Sequence, residues 1–463
     1  MLQKIAFKKL RKKFHSKYVK KFLVTNHTKY LVFFVCWAVC GVAALCGYFL
    51  HSMTYSNFKV VTNTLPKTLE KTIKNPMYFD VLNPAKSAHA SAIVNIENLQ
   101  IKGAKNEILQ NMLLYFAGSR EGASDVCIYQ SFFSRQDFRD SLRSSHNLKQ
   151  NYSWSEARAI LCPQDLSKKA KKFIKKLGNP VSFVDTKGEV HLFVVGVSMG
   201  GWATSKIYWL KFDDSLTSLQ FVRELPLSPI LNFSHLVRNP AMLLENGGFV
   251  LPIYNEFAQK YPLLLYVDSK SHIKSIPISS MANATRNQLQ PSFVALDSSR
   301  FFGVFRQYRG DNIMKVALCD SEVWREKGLR NRNTILSKID KNECKILPSN
   351  LKNFDFSPVI FKMDFGLESV VLLLHNKAKT PKGNPREELW LYKLESNLQD
   401  SSLEAVTFVP IMKIDELEGR EVSYPSVAQH SDFVHISYTY GREYIATSLL
   451  PKAYILKKLK EAK

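Results

Sequence analysis

The sequence lacks the short motifs that mark several large protein classes. No P-loop and no glycine-rich dinucleotide turn follows a predicted strand, which argues against the nucleotide-binding folds that depend on them. The cysteines do not have the spacing of zinc ligands. Helical periodicity is rare after the N-terminal region, which argues against a helical bundle. We therefore predict no cofactor and no metal site.

Acidic residues are absent from the first thirty positions, which contain ten Lys and Arg. The formal net charge of the whole chain is +24. A charge of this size is common in nucleic-acid-binding proteins. Here, however, the remaining +14 is spread over more than four hundred residues. This distribution argues against nucleic acid as a partner.

The basic region is followed by twenty residues without a charge, Leu31–Leu50, LVFFVCWAVCGVAALCGYFL. At about 1.5 Å per residue, a helix of this length spans roughly 30 Å, the thickness of a bilayer core. The basic flank fits the positive-inside rule. The alternative is a cleaved signal peptide, but its apolar region usually has only about 7–15 residues. We predict a single-pass protein of the inner (cytoplasmic) membrane, with its N-terminus in the cytoplasm and everything after His51 in the periplasm or outside.

The cysteines leave two interpretations open. Three of the seven lie in the apolar segment, and the other four lie after it: Cys127, Cys162, Cys319 and Cys344. Four cysteines allow three pairings. One disulfide in an oxidising compartment and free buried thiols are both compatible with this pattern.

From His89 onward, short apolar or alternating runs are separated by turn residues. Val190–Val197, Phe301–Phe305 and Val434–Thr439 are typical, and such runs predict strands. Blocks rich in these runs begin near residues 89, 179, 236, 290, 357 and 423. We predict an all-β fold, a six-bladed β-propeller preceded by one transmembrane helix. The predicted divisions are a basic stem (1–30), the transmembrane helix (31–50), a stalk (51–85), the propeller (86–450) and a basic tail (451–463).

Several stretches of the predicted propeller resemble the bacterial sialidase-like (neuraminidase-like, BNR-repeat) family. They include HASAIVNI from His89, LLYFAGSREGASDVCIYQS from Leu113 to Ser131, FRQYRGD from Phe305, and VSYPSVAQHSDFVHISYTYGREYI from Val422 to Ile445. The resemblance extends over nearly all of the chain after the apolar segment. It implies a six-bladed propeller with a glycan-facing pocket on its axis, and an acidic glycan or sialoglycoconjugate as partner.

The resemblance implies roles for two residues in particular. Arg120 precedes Asp125 by five residues, which is the family's spacing before its acid/base Asp. Tyr424, in Ser-Tyr-Pro-Ser, stands where the family has its nucleophilic Tyr, with Glu421 as a possible base. The alternatives are that Asp125 caps a turn and that Tyr424 belongs to the core.

Other candidates follow strand ends, where side chains can reach a pocket. Those expected to bind substrate are Arg238, Asn239, Tyr254, Glu256, Gln290 and Arg306, together with Trp202, whose flat ring could stack on a sugar. Arg suits this task because its planar fork binds a carboxylate bidentately. The alternative for each charged residue is a salt bridge between blades.

The sequence also departs from the family pattern. Ala88-His89-Ala90-Ser91 stands where the family has an Arg, His375 and Asn376 stand where a second triad Arg is expected, and Gln290, sixteen residues before Arg306, stands where the family has a Glu. Of the triad, only Arg306 fits clearly, and Arg238 and Arg442 are possible substitutes. His89 and His375 become candidate general bases.

These features favour a membrane-anchored glycosidase of the sialidase family, an exo-alpha-sialidase acting on acidic glycans. Two alternatives stay open because the arginine triad is incomplete. One is a non-catalytic propeller that binds glycans. The other is a related propeller enzyme that acts on another acidic sugar, such as a uronic acid.

Overall fold

The computed structural model describes residues 74–103, 107–136, 152–228, 232–257, 260–278, 285–320, 344–365, 368–380 and 382–462. The predicted stem, the predicted transmembrane segment Leu31–Leu50 and most of the predicted stalk lie outside these ranges. Within them, the structure contains no helix that is both long enough and apolar enough to span a bilayer.

Strands dominate the described residues and form six antiparallel sheets, the blades, which follow one another along the chain. Blade one contains β2 (Ser87–Asn95), β3 (Glu107–Gly118), β4 (Cys127–Gln136), β5 (Tyr152–Trp154) and β6 (Arg158–Leu161). Blade two contains β7 (Lys176–Val184), β8 (Val190–Val197), β9 (Lys206–Phe212) and β10 (Leu219–Glu224). Blade three contains β11 (His235–Val237), β12 (Met242–Leu243), β13 (Phe249–Asn255), β14 (Tyr261–Val267) and β15 (Ile273–Pro277).

The second half of the chain repeats this arrangement. Blade four contains β16 (Gln288–Ala295), β17 (Arg300–Gln307), β18 (Ile313–Asp320) and β19 (Lys345–Lys352). Blade five contains β20 (Val359–Phe365), β21 (Glu368–Lys377), β22 (Glu388–Leu394) and β23 (Phe408–Glu416). Blade six contains β24 (Val422–Gln429), β25 (Phe433–Tyr440), β26 (Tyr444–Pro451) and the first strand of the fold, β1 (Met77–Val81). Two helices, α1 (Pro163–Ala170) and α2 (Lys452–Glu461), complete the fold.

The six blades close into a ring. The first strand of each blade is the innermost one, and β2 contacts both β7 and β24, the innermost strands on either side of it. The ring is closed by β1, which pairs antiparallel with β26 from Met77↔Leu449 to Val81↔Ile445. A strand from the beginning of the fold therefore completes the last blade and joins the two ends of the propeller by backbone hydrogen bonds. The predicted six-bladed propeller is confirmed.

Apolar side chains fill the spaces between neighbouring blades. One cluster joins blades one and two through Leu114, Ile128 and Leu192, and another joins blades two and three through Trp209 and Leu251. Strands whose two faces are both covered need apolar residues at successive positions. This explains the almost continuous burial of β8, β13 and β25.

Two boundaries differ from those predicted. The stalk was expected to extend to residue 85, but β1 lies within that range as the closing strand of blade six. Its pairing with residues more than 350 positions away cannot be detected from local pattern. The predicted basic tail contains α2, whose Ile455 and Leu459 pack into the apolar cluster between blades five and six.

The four cysteines of the propeller form two disulfides, Cys127–Cys162 and Cys319–Cys344. The first ties the beginning of β4 to the residue that precedes α1. The sequence left open whether these cysteines form disulfides or stay free thiols, and the structure shows two disulfides.

Candidate functional site

Residues at the start of the innermost strands surround the axis. Four of these strands have a β-bulge at the same place: His89/Ala92 in β2, Leu177/Pro180 in β7, Leu289/Ser292 in β16 and Ser423/Ser426 in β24. A bulge releases extra residues from pairing and changes the direction in which their side chains point.

Three of the bulges hold a residue in the left-handed region: Ala90 (φ 48°), Gln290 (φ 46°) and Tyr424 (φ 55°). This conformation is costly for a residue with a Cβ, particularly for a bulky one such as Tyr, and it persists only where the surroundings fix it. Gln290 and Tyr424 both line a cavity at this end of the axis. The backbone is thus strained at the positions that supply side chains to the cavity.

The cavity has a volume of about 270 Å³. It is lined by side chains from blades one, two, three, four and six: Glu121, Asn179, Val195, Trp202, Leu236, Tyr254, Glu256, Lys260, Leu289, Gln290, Arg306, Tyr308 and Tyr424. A second cavity, of about 330 Å³, is lined by the other ends of the innermost strands. We call the first cavity the axial pocket.

Tyr424 contacts three arginines and a histidine at the axial pocket. Its hydroxyl accepts a hydrogen bond of 2.9 Å from Nη1 of Arg306. The guanidinium carbons of Arg238 and Arg386 lie 5.3 and 5.8 Å from the ring centroid, and the His89 ring packs against it edge-on at 4.3 Å. Cations at these distances interact favourably with the ring. Three guanidinium groups from blades three, four and five therefore meet at one phenol of blade six.

Arg238 is buried (2% exposed) and has neutral partners in the described residues. Its Nη1 and Nη2 donate to the carbonyl oxygens of Ser91 and Pro425, at 3.3 and 2.8 Å, and its Nε has no partner. Burial lowers the pKa of Arg238 to about 10, with partial compensation from Tyr424 and Tyr254. At neutral pH this residue is therefore a buried cation without a carboxylate partner in the part of the chain described.

The other guanidinium groups are held by carboxylates. Arg306 Nε pairs with Asp355 Oδ1 at 2.6 Å. Arg386 donates through Nη1 to Glu421 Oε2 at 2.8 Å, and Arg442 donates to the other oxygen of the same carboxylate. Glu421 thus fixes two arginines and is not a base for Tyr424, to which it makes no hydrogen bond. Its remaining partner is the hydroxyl of Ser423.

Electrostatics keep the members of this cluster in defined protonation states. Burial works to raise the pKa of Glu421, but His89, Arg442 and Arg386 together lower it to about 2. Burial lowers the pKa of His89 well below its usual value, and Arg442 lowers it further. Both ring nitrogens of His89 are buried without a hydrogen-bond partner. His89 is therefore a neutral packing partner for Tyr424 and not a group that is placed to move a proton.

The pKa of Glu421 predicts how stability depends on pH. A carboxyl whose pKa is lower in the folded than in the unfolded state stabilises the fold above the unfolded pKa, near 4.5, and this contribution disappears as the pH falls towards 2. The shift corresponds to about 3 kcal/mol. We expect the free energy of unfolding to fall between pH 5 and 2, and to fall less steeply in Glu421→Gln. Denaturant unfolding at several pH values checks this. Equal pH dependence in the two proteins would contradict it.

The blade-one loop after β3 places its residues differently from the prediction. Arg120 and Asp125 are both exposed, and neither lines the axial pocket. Asp125 accepts hydrogen bonds from Ser119, 3.0 Å from its backbone nitrogen and 2.9 Å from its hydroxyl, which is the geometry of a turn. Glu121, between them, does line the pocket and pairs with Arg442.

The remaining predicted residues divide between the pocket and the core. Tyr254, Glu256, Gln290 and Trp202 line the pocket, and Gln290 Nε2 lies 3.4 Å from the hydroxyl of Tyr254. Asn239 instead joins blades three and four through hydrogen bonds to the backbone oxygens of Gln290 and Pro291.

His375 is packed inside blade five, where its ring lies 4.7 Å from that of Phe356. Burial lowers the pKa of His375 to about 3, and the residue does not line the axial pocket. His375, one of the two histidines predicted as general bases, therefore lies in the core of a blade.

The sequence reasoning missed Arg386, which comes from the β21–β22 connection of blade five. It was overlooked because it lies in a polar, turn-like stretch, Thr380-Pro-Lys-Gly-Asn-Pro-Arg386, without periodicity. A sequence signal did mark other residues near the propeller axis. Asn179, Asn239, Gln290, Ser357 and Tyr424 each precede a proline near the start of the innermost strand of their blade. Because proline interrupts strand pairing, this recurring residue-proline pair marks the places where the innermost strands leave regular pairing near the axis.

One group of side chains has the composition of a metal site: Asp185, Glu189 and His191. Trp209 Nε1 donates to His191 Nδ1 at 3.0 Å, and His191 Nε2 lies 3.1 Å from Asp185 Oδ2. Because Nδ1 accepts the hydrogen bond, the neutral ring carries its proton on Nε2 and donates it to Asp185. The nitrogen nearest the carboxylates then has no free lone pair for a metal. This arrangement braces the β7–β8 turn.

The axial pocket combines a phenol in contact with cations, the guanidinium group of Arg306 and polar groups on its wall. Arg238, the buried cation without a described counter-ion, lies beside the Tyr424 ring and is not part of the pocket lining. Positive charge around Tyr424 suits an anionic ligand. The fold and site define the protein as a six-bladed propeller with an arginine-flanked pocket on its axis.

The profile of the BNR repeat-like domain matches residues 110–436, so the chain belongs to this family. Comparison with curated protein sequences found no significant match.

Solved structures of sialidases share the fold. The NanB sialidase from Streptococcus pneumoniae has a TM-score of 0.53 at 10% identity, over 81% of this chain and 70% of that chain. Trypanosoma rangeli sialidase has a TM-score of 0.51 at 11% identity, over 81% of this chain and 56% of that chain, so the present chain spans little more than half of its length. A protein of unknown function from Dyadobacter fermentans has a TM-score of 0.51 at 12% identity, over 82% of this chain and 100% of that chain.

Proposed function

We propose that this protein is a glycosidase of the sialidase type, which binds the carboxylate of an acidic sugar in the axial pocket and uses Tyr424 as its nucleophile. The observation that carries the proposal is the contact of the Tyr424 hydroxyl with Arg306, beneath the guanidinium groups of Arg238 and Arg386. A neutral phenol avoids the repulsion that a carboxylate nucleophile would meet from an anionic substrate. The Tyr424 proton passes to solvent in the pocket as the phenol oxygen bonds to the anomeric carbon and the leaving oxygen departs, and the guanidinium of Arg306, which donates to the phenol oxygen, stabilises the negative charge that develops there.

In this mechanism the carboxylate of the substrate is bound by Arg306, whose guanidinium group lines the pocket, and Arg238 adds positive charge from beside the Tyr424 ring. Arg238 is a cation that no described carboxylate neutralises, and its Nε has no partner. The blade-one loop would supply the proton to the leaving oxygen. Glu121 lines the pocket there, and Asp125 lies four residues further along. The reaction would proceed in two steps, the second of which releases Tyr424 by hydrolysis.

A non-catalytic glycan-binding propeller is the second candidate, and it is favoured by a specific observation. Gln290, whose side chain cannot take up a proton as a base, occupies the wall of the pocket beside Tyr254. In the described residues, the hydroxyl of Tyr424 has Arg306 and no carboxylate as its hydrogen-bond partner.

Two measurements on the full-length protein in detergent separate the candidates. Release of methylumbelliferone from an N-acetylneuraminic acid glycoside or from a glucuronide would support the glycosidase and indicate which acidic sugar it takes. Calorimetric binding of the free acidic sugars without turnover would support the binding propeller. Neither turnover nor binding of any acidic sugar would overturn both.

We also propose that Leu31–Leu50 anchors the chain in the cytoplasmic membrane with the propeller in the periplasm or outside. The uncharged segment, its basic flank and the two disulfides support this location, since disulfides persist in oxidising compartments. Protease added to spheroplasts should digest the propeller. Protection of the propeller until the membrane is lysed would contradict the proposal.

A further inference from the structure

The lining of the axial pocket also contains two aromatic side chains that each contact cations. Trp202, from the 3₁₀ turn Trp202–Thr204 between β8 and β9, has Lys176 Nζ at 4.9 Å from its ring centroid. Tyr308, directly after β17, has Lys260 Nζ at 4.5 Å and the guanidinium carbon of Arg309 at 4.9 Å. Both rings line the pocket. Lys260 itself lines the pocket, whereas Lys176 and Arg309 lie next to the two rings that line it. We call Lys176, Lys260 and Arg309 the cationic wall.

The aromatic rings hold the cationic wall in place. The six-membered ring of Trp202 packs on Gly178, where a Cβ would come within 2.8 Å of it. Since Gly178 lies in the bulge of β7, the innermost strand of blade two fixes the position of Trp202. Contact with aromatic faces restricts the long Lys and Arg side chains without neutralising them. The charges therefore stay close to the pocket and keep their capacity to bind an anion.

The cationic wall carries more positive charge than its described partners balance. Lys260 pairs with Glu256 at 3.6 Å. Within the described ranges, neither Lys176 nor Arg309 forms an ion pair with a carboxylate. The rim on the other side of the axis differs. There, Arg442 pairs with Glu121 and Arg420 pairs with Glu443. Uncompensated charge thus lies on the side of blades two and four.

We propose that the cationic wall is a second anionic subsite, and that the ligand is an acidic glycan with charged groups on at least two consecutive sugars. One carboxylate occupies the axial pocket near Arg306, and the next charged group lies against Lys176 and Arg309. This inference rests on the proposed function, which places the first carboxylate in the axial pocket. The new claim is that a single acidic sugar leaves the cationic wall unoccupied.

The test compares ligands of one and two charges by calorimetry on the full-length protein. The probes are N-acetylneuraminic acid with its α2,8-linked dimer, and galacturonic acid with its α1,4-linked dimer. In whichever series binds, we expect the dimer to bind about tenfold more tightly, as one additional charge-assisted contact would give. In the double variant Lys176→Gln/Arg309→Gln, this preference should fall to about twofold or less.

Two control variants make the result specific. Lys211→Gln removes a lysine that likewise lies over a tryptophan, 5.8 Å from the Trp209 ring, but at the opposite end of blade two, and it should retain the dimer preference. Arg420→Gln removes a guanidinium from the rim opposite the cationic wall and should also retain it.

The outcomes separate this inference from the proposed function. Failure of all four probes to bind would overturn the proposed function. Equal affinity for monomer and dimer, or loss of the preference in Arg420→Gln instead of the double variant, would overturn the second subsite alone. Measurement at low and high salt adds a check, since exposed charges are screened within about 10 Å at 0.1 M salt. The dimer preference should therefore weaken as salt increases.

Discussion

Tyr424→Phe is expected to reduce the turnover of an acidic glycoside at least about a thousandfold, because the substitution removes the oxygen that forms the covalent intermediate in the proposed mechanism. The ring stays in place beneath Arg238 and Arg386, so the affinity for the acidic sugar should change only a few-fold. The measurements are kcat with a fluorogenic glycoside and Kd of the free sugar. A loss in kcat without a matching loss in affinity is the signature of a group that acts in the chemical step.

The control for this substitution is Tyr440→Phe. Tyr440 is also in blade six, stacks on Tyr444 and does not line the axial pocket. Removal of its hydroxyl should leave turnover unchanged. If Tyr424→Phe kept its turnover within tenfold of the wild type, another group would have to be the nucleophile, and the glycosidase proposal would fail in its present form.

The fold could be derived from the sequence because its signal is local and repeated. Val190–Val197 and Val434–Thr439 were recognised as strands from a few residues each, and they correspond to β8 and β25. Six groups of such strands imply a ring. The closing strand β1 could not be recognised in this way. Its burial alternates over only five residues, and its partner, β26, lies at the other end of the propeller.

The site was harder to derive because its residues come from different kinds of segment. Tyr424 and Arg238 lie at the start of innermost strands or directly after one, where a following proline marks the position. Arg386 and Glu121 lie in connections, and no local pattern distinguishes them from other polar loop residues. His89 and His375 were selected because they replace expected residues. The structure shows that both are buried, and burial lowers the pKa of each.

The arginines around Tyr424 show that positive charge can be present at the site although the arginine triad expected from the sequence resemblance is incomplete. The described residues of blade one contribute no arginine to the lining of the axial pocket. Arg238 from blade three reaches across to the backbone of Ser91 in blade one and of Pro425 in blade six. Arg238 therefore reaches the space beside Tyr424 from blade three. Together with Arg306 and Arg386, it brings the number of guanidinium groups around the phenol to three.

Arg238→Met is expected to affect binding and stability in opposite directions. Removal of the buried cation should weaken the binding of an acidic sugar about tenfold, because Arg238 lies beside the Tyr424 ring and acts on the sugar through its charge without lining the pocket. In the free protein, however, the same cation is buried without a described carboxylate and with its Nε unpartnered. Replacing it by an apolar side chain of similar length should leave the free energy of unfolding unchanged or raise it by about 1 kcal/mol.

Arg158→Met is the control for the removal of an arginine away from the pocket, although Arg158, unlike Arg238, is exposed. Arg158 also donates only to neutral acceptors among the described residues, the Gln130 side chain and the Leu216 backbone oxygen, and it lies away from the axial pocket. Its substitution should not alter sugar binding. Calorimetry gives the affinities, and denaturant unfolding of the free proteins gives the stabilities. If Arg238→Met lost affinity and stability together, Arg238 would be a structural brace between blades, and the axial pocket would have lost the charge on which its proposed ligand depends.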